Sequence, residues 1–418
     1  MSTAKELIAL EDAYGAHNYH PLDVVIERAE GCWVWDVAGK KYLDLLAAYS
    51  AVNQGHCHPR LEKTILEQIP KLTLTSRAFR NDKLGPFYKF ISELTGFERF
   101  LPMNTGAEAV ETAIKAARKW GYTKKGVAEG QAKILVFENN FHGRTTTIVG
   151  FSSDDQYKHG FGPFTPGFEI LPYGDADAVS AAMDENVVAV LIEPIQGEGG
   201  IIIPEDGFLK HLRALCDEHN ALLICDEIQS GLGRTGKMFA YEHEEIRPDC
   251  VIVGKALSGG FYPVSGILAD NVVMDVFHPG DHGSTYGGNP VAAAVATTAL
   301  EILVDENLVE RSHELGTYAI ERLKALETET DVVKEVRGRG LWIGVELHES
   351  AGGARQFCED LEDLGVLCKE THDHVIRIAP PLVISREDLD WGLQMIEDVL
   401  KKDRSAAAAE TREAATVA

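Results

Sequence analysis

Two residues of opposite charge close neighbouring apolar runs: Asp226 follows residues 221–225, and Lys255 follows residues 250–254. A lysine amine can hold an aldehyde as an imine. A carboxylate beside a pyridine nitrogen keeps that nitrogen protonated, so the ring can absorb electrons from a substrate carbanion. Together the pair supplies what pyridoxal 5'-phosphate chemistry requires, which reads as an enzyme rather than a binding module. Either residue alone reads more simply, Asp226 as a strand-end cap and Lys255 as a solvated charge; their joint context reverses that preference.

That context is a set of five turns, each placed where a short apolar run ends. The first, Asn104-Thr105-Gly106-Ala107-Glu108-Ala109, opens a helical pattern of small residues. Small residues at a helix start let backbone N–H groups approach an anion, and the helix dipole favours a phosphate there; an ordinary helix cap has a similar sequence. The second, Asn140-Phe141-His142-Gly143-Arg144-Thr145, offers a ring to stack on a pyridine and an arginine fork for a carboxylate, or else a surface turn with a structural ion pair. The third carries Glu193 and Glu198, acids at the end of an apolar strand, for which cations are expected nearby. The fourth adds Gln229, an amide able to meet a phenolic oxygen, and the fifth is Lys255-Ala-Leu-Ser-Gly-Gly260.

The elements needed to bring these turns together are visible in the alternation of β-rich runs and helical patterns from about residue 95 to 270. Candidate strands are 97–103, 133–138, 187–193, 221–226 and 250–254, which implies an α/β fold with an open, mostly parallel sheet covered on both faces. In such a sheet ligands gather at the carboxyl ends of the strands. From about 307 a second pattern appears: helix 308–326, strand 341–347, helix 354–364, strand 375–378 and helix 386–400, a smaller C-terminal α/β domain. The chain divides accordingly into an N-terminal segment 1–50 that contributes to the active site and the small domain, a large cofactor-binding domain 51–306, the small domain 307–403 and a flexible tail 404–418.

Composition removes several other classes. The 418 residues are 45% hydrophobic, enough for a well-filled core, and the formal net charge of −25 argues against a nucleic-acid partner. Small anionic substrates therefore need local arginines. Seven cysteines in an odd total with no Cys-x-x-Cys pair suit a reducing cytoplasm. His56-Cys57-His58 places adjacent ligands poorly for tetrahedral zinc, so no metal is expected. No apolar stretch approaches a membrane span, and the first residues form neither a secretory signal nor an arginine-rich transit peptide.

Several motifs carry a family resemblance. Asp226-Glu-Ile-Gln229, Gly254-Lys255-Ala-Leu-Ser-Gly-Gly260 and His282-Gly-Ser-Thr-Tyr-Gly-Gly-Asn-Pro290 closely resemble the class III pyridoxal-phosphate aminotransferases of fold type I. Within that family, Gly15-Ala-His-Asn-Tyr-His-Pro21, Ala48-Tyr-Ser-Ala-Val-Asn-Gln-Gly-His56, Leu74-Thr-Ser-Arg-Ala-Phe79 and Arg377-Ile-Ala-Pro-Pro-Leu382 look like the ornithine δ-aminotransferases. The resemblance runs from about Tyr14 to Leu400.

The resemblance implies a role for each site residue. Lys255 would bind the cofactor aldehyde and then move the proton, Asp226 would hold the ring nitrogen, Gln229 would meet the phenolic oxygen and Phe141 would stack on the ring. Thr105, Gly106 and Ala107 would cradle the phosphate, with His142, Glu193 and Ser284 completing the cofactor site. Thr285 would reach the phosphate of the neighbouring subunit, making a homodimer or a larger homo-oligomer the active form. Tyr19 and Arg144 would hold the distal α-end of L-ornithine, and Tyr49 stands where a tyrosine separates ornithine enzymes from relatives using other ω-amines. For 2-oxoglutarate, Arg377 would take the α-carboxylate and Arg144 the side-chain carboxylate, with Glu198 pairing with Arg377 when ornithine is bound. The product would be glutamate 5-semialdehyde with L-glutamate, in proline biosynthesis or arginine metabolism. The alternatives are a related ω-aminotransferase for acetylornithine, lysine or 4-aminobutyrate, and a pyridoxal-phosphate racemase or aminomutase. Three positions depart from common family residues: Gly199 for alanine, Ser230 for threonine and His142 for tryptophan. Of these only His142 touches the inferred site, where it would tune the substrate pocket.

Overall fold

The computed structural model describes residues 3–402; the expected tail 404–418 lies outside the described residues. At its centre is a seven-stranded sheet in the order Arg99–Met103, Ser265–Ala269, Cys250–Val253, Leu222–Asp226, Val187–Ile192, Lys133–Phe137, Phe168–Leu171. Every residue of Val187–Ile192, Leu222–Asp226 and Cys250–Val253 is buried. Such continuous Val/Ile/Leu runs are the composition of parallel strands covered on both faces, since neither face meets water.

Five adjacent strands, from Cys250–Val253 to Phe168–Leu171, pair in parallel. Ser265–Ala269 runs against both its neighbours, so Arg99–Met103, two antiparallel steps away, points the same way as the parallel five. The carboxyl ends of six strands therefore share one edge of the sheet, and all five turns named above lie along it.

Two strands of this sheet escape the sequence pattern. Phe168–Leu171 is a short, half-buried edge strand. Ser265–Ala269 contains Gly266, which reads as a turn, yet a Cβ there would meet the Leu101 carbonyl oxygen at 2.4 Å. The glycine permits close approach of the Arg99–Met103 strand rather than a bend.

The C-terminal part holds an antiparallel sheet in the order Val333–Arg339, Trp342–Leu347, Val375–Ile378, Lys369–Thr371. The expected helix 308–326 is instead two, Leu308–Lys324 and Leu326–Glu329. The N-terminal region forms a meander, Ile26–Glu30, Trp33–Asp36 and Lys41–Asp44, whose last strand pairs in parallel with Val366–Leu367. Lys40 Nζ closes the same junction by donating to the carbonyls of Glu362 and Asp363.

One buried cation ties these layers together. Arg234 is fully buried and donates to the carbonyls of Leu341 at 2.8 Å and Pro380 at 2.7 Å, and also to Asn53 Oδ1. Burial pulls its guanidinium down to about 9, against the smaller opposing effect of Asp44 and Cys32. Asn53 in turn donates to the Leu232 carbonyl and accepts, at its own carbonyl, the N–H of Leu382. A buried polar group is costly unless hydrogen-bonded, and these bonds fix the segment after Gln229 against the strands that present Arg377. Among the described residues, no helix is long and apolar enough to cross a membrane.

Candidate active site

Asp226 ends the Leu222–Asp226 strand and Lys255 opens the helical turn Lys255–Ser258 just after the adjacent Cys250–Val253 strand; Asp226 pairs in register with Ile252, three residues before Lys255. Lys255 adopts φ of +41°, a left-handed conformation unusual for a lysine and found where the surroundings over-determine the backbone. Burial lowers its amine to about 8; Arg377 adds to that, while Glu198, Asp226 and Glu193 oppose it. An amine that sheds its proton near neutrality can act as a nucleophile and then as a base.

Asp226 is buried, with one carboxylate oxygen 2.7 Å from His142 Nδ1 and the other accepting the Ile228 N–H at 3.1 Å. Burial opposes a charge on His142, but the hydrogen bond and charge of Asp226, with Glu193, raise its imidazole above the ordinary value. This placement corrects the expectation that His142 tunes the substrate pocket. Its ring is buried against Asp226 and Phe151, in contact with the carboxylate. Nothing in the local sequence distinguishes the two roles, because the contact spans 84 positions.

Glu193 is also corrected. No cation forms an ion pair with it among the described residues; it accepts the Phe141 N–H at 2.9 Å. Burial lifts its carboxyl to about 7, with Asp226 and Glu198 adding to the rise and His142 and the Phe141 N–H opposing it. Its contact fixes the Phe141-His142 turn, so one residue positions both the candidate stacking ring and the partner of Asp226.

Glu198 does have its cation. Arg377, 1% exposed at its side chain, donates two parallel bonds to it at 2.9 and 3.0 Å, while the Glu198 side chain remains 25% exposed. Burial works against the Glu198 charge, but Arg377, with Lys255 and Arg144, holds its carboxyl below the ordinary value. Arg144 differs: it has no carboxylate within ion-pair distance among the described residues. Its guanidinium lies 4.1 Å from the Tyr157 ring centre and 5.5 Å from that of Phe141. With Asn18, Tyr19, Thr146, Val149, Tyr157 and Phe161 it lines a cavity of about 280 Å³. Tyr157 and Phe161 were not legible, because Tyr157 lies in the single helical turn Asp155–Lys158, too short to show periodicity, and Phe161 in the loop that follows it. A wider depression of about 520 Å³ between Tyr88 and Asn271 lies at the far end of the Arg99–Met103 strand and contains none of these residues.

Tyr49 reaches the site by an unusual path. Ala47, Ala48, Tyr49 and Ser50 all have positive φ, from 47° to 70°, forming one left-handed helical turn. For L-residues this costs roughly 1–2 kcal/mol each. The Tyr49 ring centre lies 5.1 Å from the Arg377 guanidinium carbon.

The phosphate cradle divides into two parts. Thr105 caps the Gly106–Trp120 helix: its hydroxyl accepts the Glu108 N–H at 3.3 Å, and Glu108 takes the N–H groups of Thr105 and Asn104. The Thr105 hydroxyl is thus engaged as a helix cap, whereas the capping box uses neither the Gly106 nor the Ala107 N–H. Ser284 accepts a bond from Asn104 at 2.7 Å, and its neighbour Thr285 is exposed.

A pyridoxal phosphate fits these residues. Gln229 is buried, and its amide nitrogen has no hydrogen-bond partner among the described residues. A Cβ on Gly197 would meet Gln229 Oε1 at 2.6 Å, so the glycine leaves the amide room. A buried unsatisfied donor, an adjacent lysine of depressed basicity, a carboxylate backed by histidine and a helix start form a complementary donor set for a phosphorylated pyridine aldehyde.

Against known proteins, the chain matches the model described as aminotransferase class-III over residues 14–400. The chain belongs to the class-III aminotransferase family. It is 58% identical over 400 residues to an ornithine aminotransferase of Halalkalibacterium halodurans, covering 96% of this chain and 99% of the relative. The fold superposes on an ornithine aminotransferase of Toxoplasma gondii, with partial occupancy of PLP at its active site, at TM-score 0.94 and 43% identity, covering 98% and 96% of the two chains. An acetylornithine aminotransferase of Elizabethkingia anophelis is similar at TM-score 0.87 and 48% identity, covering 96% and 99%. These class-III neighbours accord with the expected fold type I architecture, a large, mostly parallel sheet with a smaller C-terminal α/β part.

Proposed function

We propose that the protein transfers the δ-amino group of L-ornithine to 2-oxoglutarate with pyridoxal 5'-phosphate as cofactor, giving glutamate 5-semialdehyde, which cyclises to pyrroline-5-carboxylate, and L-glutamate. The observation that carries this reading is the unequal state of two arginines. Arg377 is neutralised by a two-bond contact to Glu198 beside Lys255, while Arg144 shares a cavity with Tyr19 and has no carboxylate partner among the described residues. A diamine with one carboxylate needs one free arginine far from the reacting amine. An oxo acid with two carboxylates needs both, and the partly exposed Glu198 supplies the means of releasing the second. The similarity to ornithine aminotransferases supports the same substrate.

Pyridoxal phosphate, when bound, supplies an aldehyde for the amine and a protonated ring that withdraws electrons from the carbon losing its proton. Asp226 would hold the ring nitrogen, oriented by His142 Nδ1 at 2.7 Å. Gln229 Nε2 is the donor available to the phenolic oxygen, and Phe141, fixed through Glu193, is the candidate stacking ring. Gly106 and Ala107 offer N–H groups to the phosphate. Lys255 Nζ takes and returns the migrating proton, its basicity lowered to about 8 by burial. Tyr19 and Arg144 hold the ornithine α-end, and the Glu198 charge keeps Arg377 from competing for that carboxylate.

The exposure of Thr285, next to Ser284 at the Asn104 turn, supports its use by a second copy of the chain, so the reading includes a homodimer. Seven free cysteines, six of them buried, suit a reducing cytoplasm. The test is the absorbance of the holoenzyme on adding L-ornithine, N-acetylornithine, lysine or 4-aminobutyrate without oxo acid. Fastest loss of the visible band with ornithine, with pyrroline-5-carboxylate appearing, is the expected result. Faster reaction with another amine overturns the substrate, and reaction with none favours an isomerase.

A further inference from the structure

Between the helical turn Asn271–Met274 and the helix Pro290–Asp305, residues 275–289 form neither helix nor strand, yet side chains of the Gly106–Trp120 helix hold them at successive points. Lys115 Nζ donates to His282 Nδ1 at 2.9 Å and to the Asp281 carbonyl at 3.1 Å. An ammonium can only donate, so Nδ1 is the acceptor and the proton of the neutral ring sits on Nε2. That nitrogen lies 2.8 Å from the Thr112 hydroxyl. The hydroxyl is already committed as donor to the Glu108 carbonyl at 2.7 Å, so it accepts from the ring. Burial and the Lys115 charge pull the His282 imidazole below its ordinary value, against the smaller effect of Glu108, which agrees with a neutral ring. One turn further along the helix, Lys119 pairs with Asp281. Thr112, Lys115 and Lys119 stand at i, i+3 and i+7 and so share one face of the helix. At the other end of the segment Asn104 donates to Ser284, and a Cβ on Gly287 would meet the Pro102 carbonyl oxygen at 2.7 Å. These ties bracket Thr285 and Tyr286, which are themselves exposed.

We propose that the Thr112–His282–Lys115 bridge is a positioning element for cofactor binding in the partner subunit. It fixes the Ser284–Thr285 turn to the flank of the subunit's own phosphate-binding helix, so that the Thr285 hydroxyl is presented outward at a set place. The inference rests on the pyridoxal-phosphate homodimer reading above. A loop that must be ordered as it binds gives up part of the binding energy, and one already fixed does not. A neutral imidazole suits the task because it joins a donor and an acceptor that lie on one helix face. The same helix offers its first N–H groups to the subunit's own phosphate, so each helix serves two sites: its own through Gly106 and Ala107, and the partner's through His282. Loss of His282 from one subunit therefore weakens the cofactor held by the other.

Mixed dimers, isolated with two affinity tags and titrated with pyridoxal phosphate, separate this role from a structural one. Borohydride reduction fixes the cofactor to Lys255, so in a dimer that has this lysine in one chain only, the mass of that chain reads the occupancy of its site. When an unaltered chain is paired with a chain carrying both His282→Ala and Lys255→Ala, the reporting site depends on the altered segment. Its dissociation constant should rise about tenfold, the low end for a hydrogen bond to a charged group. When a His282→Ala chain is paired with a Lys255→Ala chain, the reporting site is served by an intact segment. Its constant should match that of the control dimer of an unaltered and a Lys255→Ala chain. Thr112→Val, placed like His282→Ala in the first pairing, should reproduce the rise, and Thr112→Ser, which keeps the acceptor for His282, should reverse most of it. No weakening in the first pairing, equal weakening in both, or a loss in Thr112→Val that Thr112→Ser does not reverse overturns the proposal. Thr285→Ala in place of His282→Ala in the first pairing tests the reading beneath. If it leaves the reporting site unchanged, the shared-phosphate reading fails and takes the proposal with it; weakening by Thr285→Ala without weakening by His282→Ala removes the positioning role alone.

Discussion

Replacing Glu198 by glutamine keeps the shape of the side chain and removes its charge. Arg377 is then 1% exposed at its side chain with two bonds weakened. Leaving one member of a buried ion pair alone costs about 3–5 kcal/mol. The 25% exposure of Glu198 brings solvent screening, so about 1–3 kcal/mol is the scale expected here, or roughly 5- to 150-fold in an equilibrium. An unpaired Arg377 beside the reacting centre recovers that energy by binding the substrate α-carboxylate. Ornithine should then present its α-amine to Lys255, and α-transamination should rise relative to δ-transamination by a factor in that range. A second consequence comes from the same charge: Glu198 raises the Lys255 amine, so its removal should move that amine below about 8. The assay is a single turnover of ornithine without oxo acid, with the two cyclised products separated chromatographically and cofactor content measured in parallel. An unchanged product ratio in a variant that retains its cofactor refutes the idea that Glu198 hides Arg377.

Three further perturbations follow from the same geometry. Lys255→Ala should lower turnover by about 10⁴-fold or more while leaving a folded protein that binds pyridoxal phosphate without a covalent link; substantial residual turnover, read in a steady-state assay, contradicts the assignment. Loading of the apoprotein with pyridoxal phosphate should accelerate as pH rises through about 8, because Lys255 must be neutral and its folded value lies near 8; a midpoint near 10, the region of an ordinary lysine, would show that burial does not act as described. Glu193 holds its proton more tightly folded than unfolded, about 7 against 4.5, so its favourable contribution is complete below about pH 4.5 and lost as pH rises through about 7. Glu193→Gln should therefore stabilise the apoprotein at pH 8 by up to about 3 kcal/mol, with little effect at pH 4.5; equal effects at both pH values in urea unfolding would count against a buried, proton-holding Glu193.

The large sheet was legible because its strands are uninterrupted Val/Ile/Leu runs that end in chemically distinctive turns. Val187–Ile192 and Leu222–Asp226 needed no tertiary information to be placed. The short edge strand Phe168–Leu171 and the glycine-containing Ser265–Ala269 did, since pairing partners rather than local pattern make them strands. In the site, Lys255, Asp226 and the Glu198–Arg377 pair could be anticipated from residue type and motif. The contact of His142 with Asp226 could not, nor could the lone burial of Glu193, because each depends on which residue of another strand lies opposite. The left-handed turn was equally hidden: Ala-Ala-Tyr-Ser has the composition of an ordinary right-handed helix, and the positive φ of its four residues leaves no mark on local pattern, though the N–H groups of Leu46 and Ala47 are held by Asp44 Oδ1.

The bonds of Lys40 to Glu362 and Asp363 join residues 322 and 323 positions apart, and the neighbouring Lys41–Asp44 strand meets Val366–Leu367 across a similar span. During synthesis at about 5–20 residues per second, that strand waits on the order of tens of seconds for its partner. Throughout, it carries an open row of backbone donors and acceptors, the type of edge that recruits other chains. Lys40 and Lys41 lie at its start, and their charges disfavour such pairing until the last part of the chain arrives. Chains truncated before Val366 should therefore aggregate from the N-terminal meander, even where the central sheet has already formed.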